Sequence, residues 1–317
     1  MKTYFQEISK QIYKEDILNV MEKKYSTVGP MWVSNQMEWN NGIYASFKDH
    51  DKFMILIFLI KKTLDFYSRN SIKLTYDEFY KKNTFEIERF NITEISTALN
   101  IPKESARRKI IELVKDKFIK KVKKRFLIDR SKFDHSRPFA SIKRTSRFLS
   151  ILSQMCNESK ILSRKLNTTE LEVIIKKNFS DIWKLYYEMQ IPMMIKYKKI
   201  FTNHESFHIW GTCIVNQHLY AKNIIKDYTE RDTFIASMYA AEMQGLNAMS
   251  ISDITGIPRA TVIRKLKILV TEKFLMIDKK KHYKLTGFSG ARVKHIQNEI
   301  FIKLSYFSAK IFNLSKL

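Results

Sequence analysis

A chain of 317 residues, 44% of them hydrophobic, is longer than one typical domain and too apolar for wholesale disorder. Only 7 Gly and 5 Pro punctuate it, too few for the many tight turns of a sandwich or barrel, so a mainly α-helical fold is expected. Lys and Arg number 57 against 32 Asp and Glu, a formal charge of +25; AT-rich codon usage accounts for part of that excess, and the rest points to a polyphosphate partner, nucleic acid before a membrane surface.

The opening segment, MKTYFQEISKQIYKED, is polar and carries acids, unlike a signal peptide. The longest apolar stretch, Phe53 to Ile60, is too short to span a bilayer. A cytoplasmic, nucleoid-associated protein with no membrane partner is expected. Asp51 to Ser68 reads as the leading helix of a first unit. Beyond it, ITEI (Ile92 to Ile95) belongs to a short helix, Asn100 stands at a turn and Pro102 opens a second helix. In that helix Ala106, Ile110 and Leu113 recur at four- and three-residue spacing and form the buried stripe, leaving Lys103, Ser105, Arg107, Arg108 and Lys109 outside.

FIKKVKKRFLID, from Phe118, sets β-branched and aromatic residues around a charged tip, the pattern of a hairpin that exposes Lys120, Lys121, Lys123, Lys124 and Arg125. Ile142 to Cys156 reads as a trailing helix. Cys156 and Cys213 form no CxxC, so neither a disulfide framework nor a Cys-rich zinc site is indicated.

Leu162 to Tyr228 is helical, rich in aromatics and without a flexible linker, so the two halves are expected to pack together. Trp183, Tyr186, Tyr187, Met189, Met193 and Met194 within it read either as core or as the lining of an effector pocket. The string His204-Glu205-Ser206-Phe207-His208 is an HExxH pattern, in which two histidines one turn apart bind zinc and the glutamate acts as base. Gly211 continues the longer metzincin pattern, but Ile214 stands where its final histidine belongs. The competing reading is two helical histidines in an aromatic segment. No Walker loop, GxGxxG or GxSxG occurs.

Arg231 to Gly245 reads as the leading helix of a second unit. IPRATVIRKLKILVTEKF, from Ile257, then repeats IPKESARRKIIELVKDKF, from Ile101, without gaps and with eight identities in eighteen positions. Upstream, ISDI (Ile251 to Ile254) is matched to ITEI with three fewer residues before its Ile-Pro, and Ile251 and Ile254 are expected on one face of a short helix. Gly256 supplies the turn and Pro258 a first-turn position. Val262, Leu266 and Leu269 make the stripe, leaving Arg259, Thr261, Arg264, Lys265 and Lys267 outside. FLMIDKKKHYKLT predicts a second hairpin tipped by Lys279, Lys280 and Lys281, and Ala291 to Phe312 a trailing helix.

GIPRATVIRKLKILVTEKFL, Gly256 to Leu275, resembles the winged helix-turn-helix of MarR-like and IclR-like bacterial transcription factors, over about fifty residues in each half. The resemblance implies that the second helix of each unit enters the major groove and that the hairpin lies along the adjacent backbone as a wing. By position it carries Arg259, Thr261 and Arg264, and in the first unit Lys103, Ser105 and Arg108, toward DNA. The first unit departs from the pattern with Asn100 where the second has Gly256, and Asn tolerates the left-handed conformation.

The expected architecture is therefore mainly α with small β-hairpin wings, in two winged helix-turn-helix units with connecting helices. Residues 1–155 form an N-terminal unit (helix-turn-helix about 87–128), 156–230 a helical connecting region and 231–317 a C-terminal unit (helix-turn-helix about 248–286). The expected function is sequence-specific binding of double-stranded DNA by a non-enzymatic transcriptional regulator, without cofactor, acting as a covalent pseudo-dimer on an asymmetric operator. Further homodimerisation and a small-molecule effector are left open. Two alternatives stand beside it: a plasmid- or phage-type replication initiator, and a zinc-dependent hydrolase built on His204, Glu205 and His208.

Overall fold

The computed structural model describes residues 10–129, 138–241 and 243–316, with Ser289 described by its backbone only. The fold is mainly α-helical with two small antiparallel sheets. The first half runs α1 (Lys14–Lys23), α2 (Tyr25–Phe47), α3 (His50–Arg69), α4 (Tyr76–Tyr80), β1 (Thr84–Glu86), α5 (Ile92–Leu99), α6 (Lys103–Lys115), β2 (Ile119–Val122), β3 (Arg125–Asp129) and α7 (Phe139–Glu158). The second half runs α8 (Thr168–Lys177), α9 (Phe179–Phe201), α10 (His204–Ile224), α11 (Arg231–Ala240), α12 (Ala248–Thr255), α13 (Arg259–Thr271), β4 (Leu275–Ile277), β5 (Tyr283–Leu285) and α14 (Gly287–Leu314). No described helix is long and apolar enough to cross a membrane.

The duplication reaches much further than the helix pair. Helices α1, α2 and α3 have 10, 23 and 20 residues, and α8, α9 and α10 have 10, 23 and 21. The link residues Lys24 and Asn178 share φ −111° and ψ 34°. Lys48 and Thr202, which end the second helices, are both left-handed at φ 52° and 67°. At one constant separation, Lys23/Lys177, Ser26/Ser180, Gln36/Gln190, Phe47/Phe201, His50/His204, Phe53/Phe207, Ile55/Ile209 and Ile60/Ile214 are identical pairs. Residues 156–230, read from sequence as a connecting region, thus hold the end of α7 and the second copy of α1 to α3. The same correspondence corrects the second unit's leading helix. The helix that packs on α12, α13 and β5 is α10, the counterpart of α3, and not the helix at the start of the segment from Arg231 to Gly245, which is the short α11 (Arg231–Ala240).

The halves interlock. Helix α2 lies on α10 of the other half and α9 lies on α3; likewise α1 packs on α14 and α8 on α7. Ser26 N donates to Thr229 O at 3.0 Å while its Oγ accepts from Thr229 N at 2.9 Å, and Ser180 repeats both bonds with Leu74 at 3.0 Å each. Contacts that repeat with the halves exchanged describe an approximate two-fold arrangement. One contiguous core results, in which Trp183 stacks on Tyr186 at 4.6 Å and Met189, Met193 and Met194 are buried, so the aromatic and Met stripe is core.

The first sheet has order β1-β3-β2, with Ile119 opposite Ile128 and Phe85 opposite Ile128 on its other side. In the second, β4 pairs with β5, and a single bridge from Leu246 to Tyr283 stands where β1 would be. Gly245 permits that bridge: a Cβ there would sit 2.4 Å from Tyr283 O.

Candidate nucleic-acid interface

The two helix pairs share the bonds that start the first helix and close the turn. Asn91 Oδ1 accepts from Glu94 N at 2.8 Å and Asn247 Oδ1 from Ser250 N at 2.9 Å, so each first helix begins at a capping asparagine. Ser96 Oγ and Ser252 Oγ each donate to the Ile carbonyl five residues on, Ile101 and Ile257, at 2.7 Å, closing the turn. Asn100 and Gly256 hold the left-handed turn at φ 50° and 70°. These positions run without a gap, which corrects the expected register: Ile251 is the counterpart of Ile95, and no turn is missing. Ile254 is accordingly 47% exposed, because the buried stripe of α12 runs from Ile251 to Thr255 as that of α5 runs from Ile95 to Leu99.

Pro102 and Pro258 cap α6 and α13 with φ −53° and ψ 137° and 134°, one residue earlier than a first-turn position. Neither helix has a side-chain cap bond, which leaves its first N–H groups open to solvent or an anion. Lys103, Arg107 and Arg108 are exposed on α6 and Ser105 is half-buried. On α13, Arg259, Arg264 and Lys267 are exposed, with Thr261 and Lys265 half-buried.

Lys109 is the exception to the expected outer face. It is buried, and its Nζ pairs with Asp49 Oδ2. Three residues past Ala106 and four before Leu113, it lies on the stripe itself, where a lysine keeps its charge only by reaching a carboxylate. Its counterpart is Lys265, and Asn203 stands at the sequence position that matches Asp49. Burial pushes the Lys265 ammonium below its ordinary range, Glu205 opposes that shift and Arg264 adds to it.

The outer faces differ in their acids. On α6, Glu104 lies 3.7 Å from Arg107 and Glu112 3.8 Å from Arg108. Helix α13, RATVIRKLKILVT, has no acid at all. Charge on the first hairpin is also partly committed: Lys120 Nζ lies 2.6 Å from the buried Asp129 carboxylate, and Arg125 3.2 Å from Glu86, while Lys121, Lys123 and Lys124 are exposed. The second tip is folded by Asp278, whose Oδ1 accepts from Lys280 N and His282 N at 2.9 Å each. Lys279, Lys280 and Lys281 stand exposed around it. The i,i+3 and i,i+4 spacing of Glu104 and Glu112 to the arginines was readable in the sequence; the Asp49, Asp129 and Glu86 partners, all from other elements, were not.

The HExxH residues sit elsewhere, where the halves meet. His204 Nε2 faces Asp51 Oδ1 at 3.4 Å, and His208 Nε2 faces Asn41 Oδ1 at 2.6 Å. The ring nitrogens thus face separate partners. His50, the counterpart of His204, lies with its ring 5.6 Å from that of His204 and 5.5 Å from that of His208. Burial, with the two histidines beside it, holds His50 well below its ordinary range, and burial pushes His208 down to about 3. Burial raises the Asp51 carboxyl, but hydrogen bonds from His204 and Lys198 outweigh it and hold the group ionised. Among the described residues no group of three or more His, Cys, Asp or Glu side chains is placed to hold a metal ion. Neither a family model, nor a curated protein, nor a solved structure matches the chain.

Proposed function

We propose that the chain binds double-stranded DNA sequence-specifically and regulates transcription, with α6 and α13 as the recognition helices of two winged helix-turn-helix units and the two hairpins as basic wings. The observation that carries this reading is the repetition of one helix-turn-helix-hairpin unit, with the same asparagine cap and serine-closed turn, whose second helix exposes arginine and lysine in both copies. Such a helix suits base edges, where arginine reads guanine through two parallel bonds, and exposed hairpin lysines suit phosphates. The interlocked halves would hold both helices in one covalent pseudo-dimer, so that a single chain meets two half-sites. Thr261 and Ser105, half-buried at the start of these helices, supply short hydroxyls where the backbone comes nearest the groove.

The test is binding of the purified chain to random-sequence and selected duplexes across a salt series. The reading requires affinity that falls steeply as salt rises, because ammonium and guanidinium groups displace condensed counterions. Absence of binding at low salt, or binding indifferent to salt, would remove it. Mapping bound sites across a genome then separates promoter regulation from clustered repeats at a replication origin.

A further inference from the structure

The two recognition helices agree at some exposed positions and part at others, and the pattern of disagreement is chemical. Lys103 and Arg259 are both basic, and Arg108 and Arg264 are identical. Between them, Glu104 is replaced by Ala260 and Arg107 by Ile263. Glu104 and Arg107 are well exposed, with side chains 77% and 54% open, one turn apart on the outer face. Ala260 is exposed and Ile263 half-buried at the same places on α13.

We propose that the two half-sites differ at these positions: G·C pairs beneath Glu104 and Arg107 of α6, and A·T pairs presenting thymine methyls beneath Ala260 and Ile263 of α13. This rests on the DNA-binding reading above and adds the sequence class of each half-site. A carboxylate has only acceptors, so in the major groove it is satisfied best by the amino group of cytosine; the amino group of adenine stands beside the N7 acceptor, which repels it, as do the acceptors of guanine and thymine O4. The guanidinium beside it matches the paired acceptors of guanine. Ala260 and Ile263 offer neither donor nor acceptor, and the group they complement is the C5-methyl of thymine. The local backbone of the two units repeats residue for residue, from the capping asparagines through Pro102 and Pro258 to the left-handed Lys117 and Lys273. Equivalent side chains therefore stand at equivalent places in the two units, and the difference in chemistry becomes a difference in bases. An operator of this kind is directional: the chain sits on it in one orientation.

Selection of bound duplexes from a randomised pool, with the full chain, tests this. The wild type is expected to enrich a two-part site with one G·C-bearing and one T-bearing half. The double variant Glu104→Ala/Arg107→Ile gives α6 the surface of α13 and is expected to enrich two T-bearing halves, with a preference between the two site types shifted about tenfold or more. The reverse variant Ala260→Glu/Ile263→Arg is expected to enrich two G·C-bearing halves. Glu104, Arg107 and Ala260 are exposed and Ile263 is half-buried, so unchanged thermal unfolding of each variant is the check that its fold is kept. A wild type that selects identical half-sites, or a Glu104→Ala/Arg107→Ile variant that selects the wild-type site, overturns the inference and leaves DNA binding standing. A wild type that enriches no duplex overturns both.

Discussion

In the first half, α6 and α5 are tied to α3 by charge. Lys109 pairs with Asp49, Lys52 reaches Asp116 at 3.0 Å, and Lys62 reaches Glu94 at 2.8 Å. In the second half the places of Asp49, Lys52 and Lys62 are taken by Asn203, Ser206 and Asn216, so these pairs have no counterpart, and Glu272, the counterpart of Asp116, lies 3.7 Å from Arg292 instead. Gln217 Oε1 accepts from Leu285 N at 2.6 Å, and Asn216 donates to Gln244 O at 3.0 Å. What both halves share is apolar. Phe47 stacks on Phe118 at 4.8 Å, and their counterparts Phe201 and Phe274 meet at 4.4 Å. The geometry of the unit is therefore carried by the phenylalanine clamp and the serine-closed turn, while the charge pairs that brace each copy differ between them.

The clamp gives the largest expected effect. Phe274 is only 2% exposed, whereas Phe118 is half-buried. Phe274→Ala should destabilise the chain by about 3–5 kcal/mol in urea unfolding, and Phe118→Ala by clearly less. Equal losses would show that burial at the two clamps is not what distinguishes them.

Asp49→Asn comes next, because it gives the first half the residue the second half has. Asparagine still caps α3, but the buried Lys109 ammonium loses its carboxylate, at a cost of about 2–3 kcal/mol. The reciprocal Asn203→Asp offers Lys265 a carboxylate and should stabilise by under about 1 kcal/mol. A neutral Asp49→Asn variant in denaturant melts would mean that Lys109 reaches water without its partner.

Acid should loosen the place where the halves meet. His50 and His208 are held neutral, with folded pKa values depressed below 6.5, that of His208 to about 3. Below pH 6.5 the unfolded chain takes up protons that the folded chain refuses, so the stability they contribute is complete above 6.5 and is lost as pH falls toward the folded values. For one such histidine the loss between pH 7 and pH 5 is about 2 kcal/mol. His208→Gln, which keeps a polar partner for Asn41, should flatten that dependence in unfolding curves taken at the two pH values. A slope unchanged by this substitution would place the acid sensitivity elsewhere.

The finest comparison is between helix and wing of the second unit. On the proposed DNA-binding reading, Arg259→Ala should cost about 1–2 kcal/mol on the selected site and little on random DNA, because that reading gives Arg259 a base contact. Replacing Lys279, Lys280 and Lys281 together should weaken binding to both alike and lower the slope of log affinity against log salt by about 3. If the wing variant loses discrimination while Arg259→Ala keeps it, the roles of helix and wing are reversed.

Much of the local structure was legible in the sequence. The stripes Ala106-Ile110-Leu113 and Val262-Leu266-Leu269 recur with helical period and are buried as that period requires, and both hairpins form where β-branched and aromatic residues flank basic tips. The eighteen-residue repeat was visible because six of its eight identities cluster at the turn and at the end of the helix. The rest of the duplication, α1 to α3 against α8 to α10, was not, since core positions exchange one apolar residue for another, as in Leu59 against Cys213, and leave only scattered identities.

From sequence alone follow the mainly helical class, the two helix pairs with their hairpins, and the basic outer faces, because each depends on periodicity, capping and turn chemistry within a few residues. Tertiary structure alone decided that α2 and α9 change places between halves, that α10 and not α11 supports the second unit, and that Lys109 is spent on a carboxylate sixty residues away. Periodicity says which face of a helix is buried. What lies opposite that face, and so whether a lysine there faces solvent or an aspartate, is set by the packing of segments that the chain brings together only when it folds.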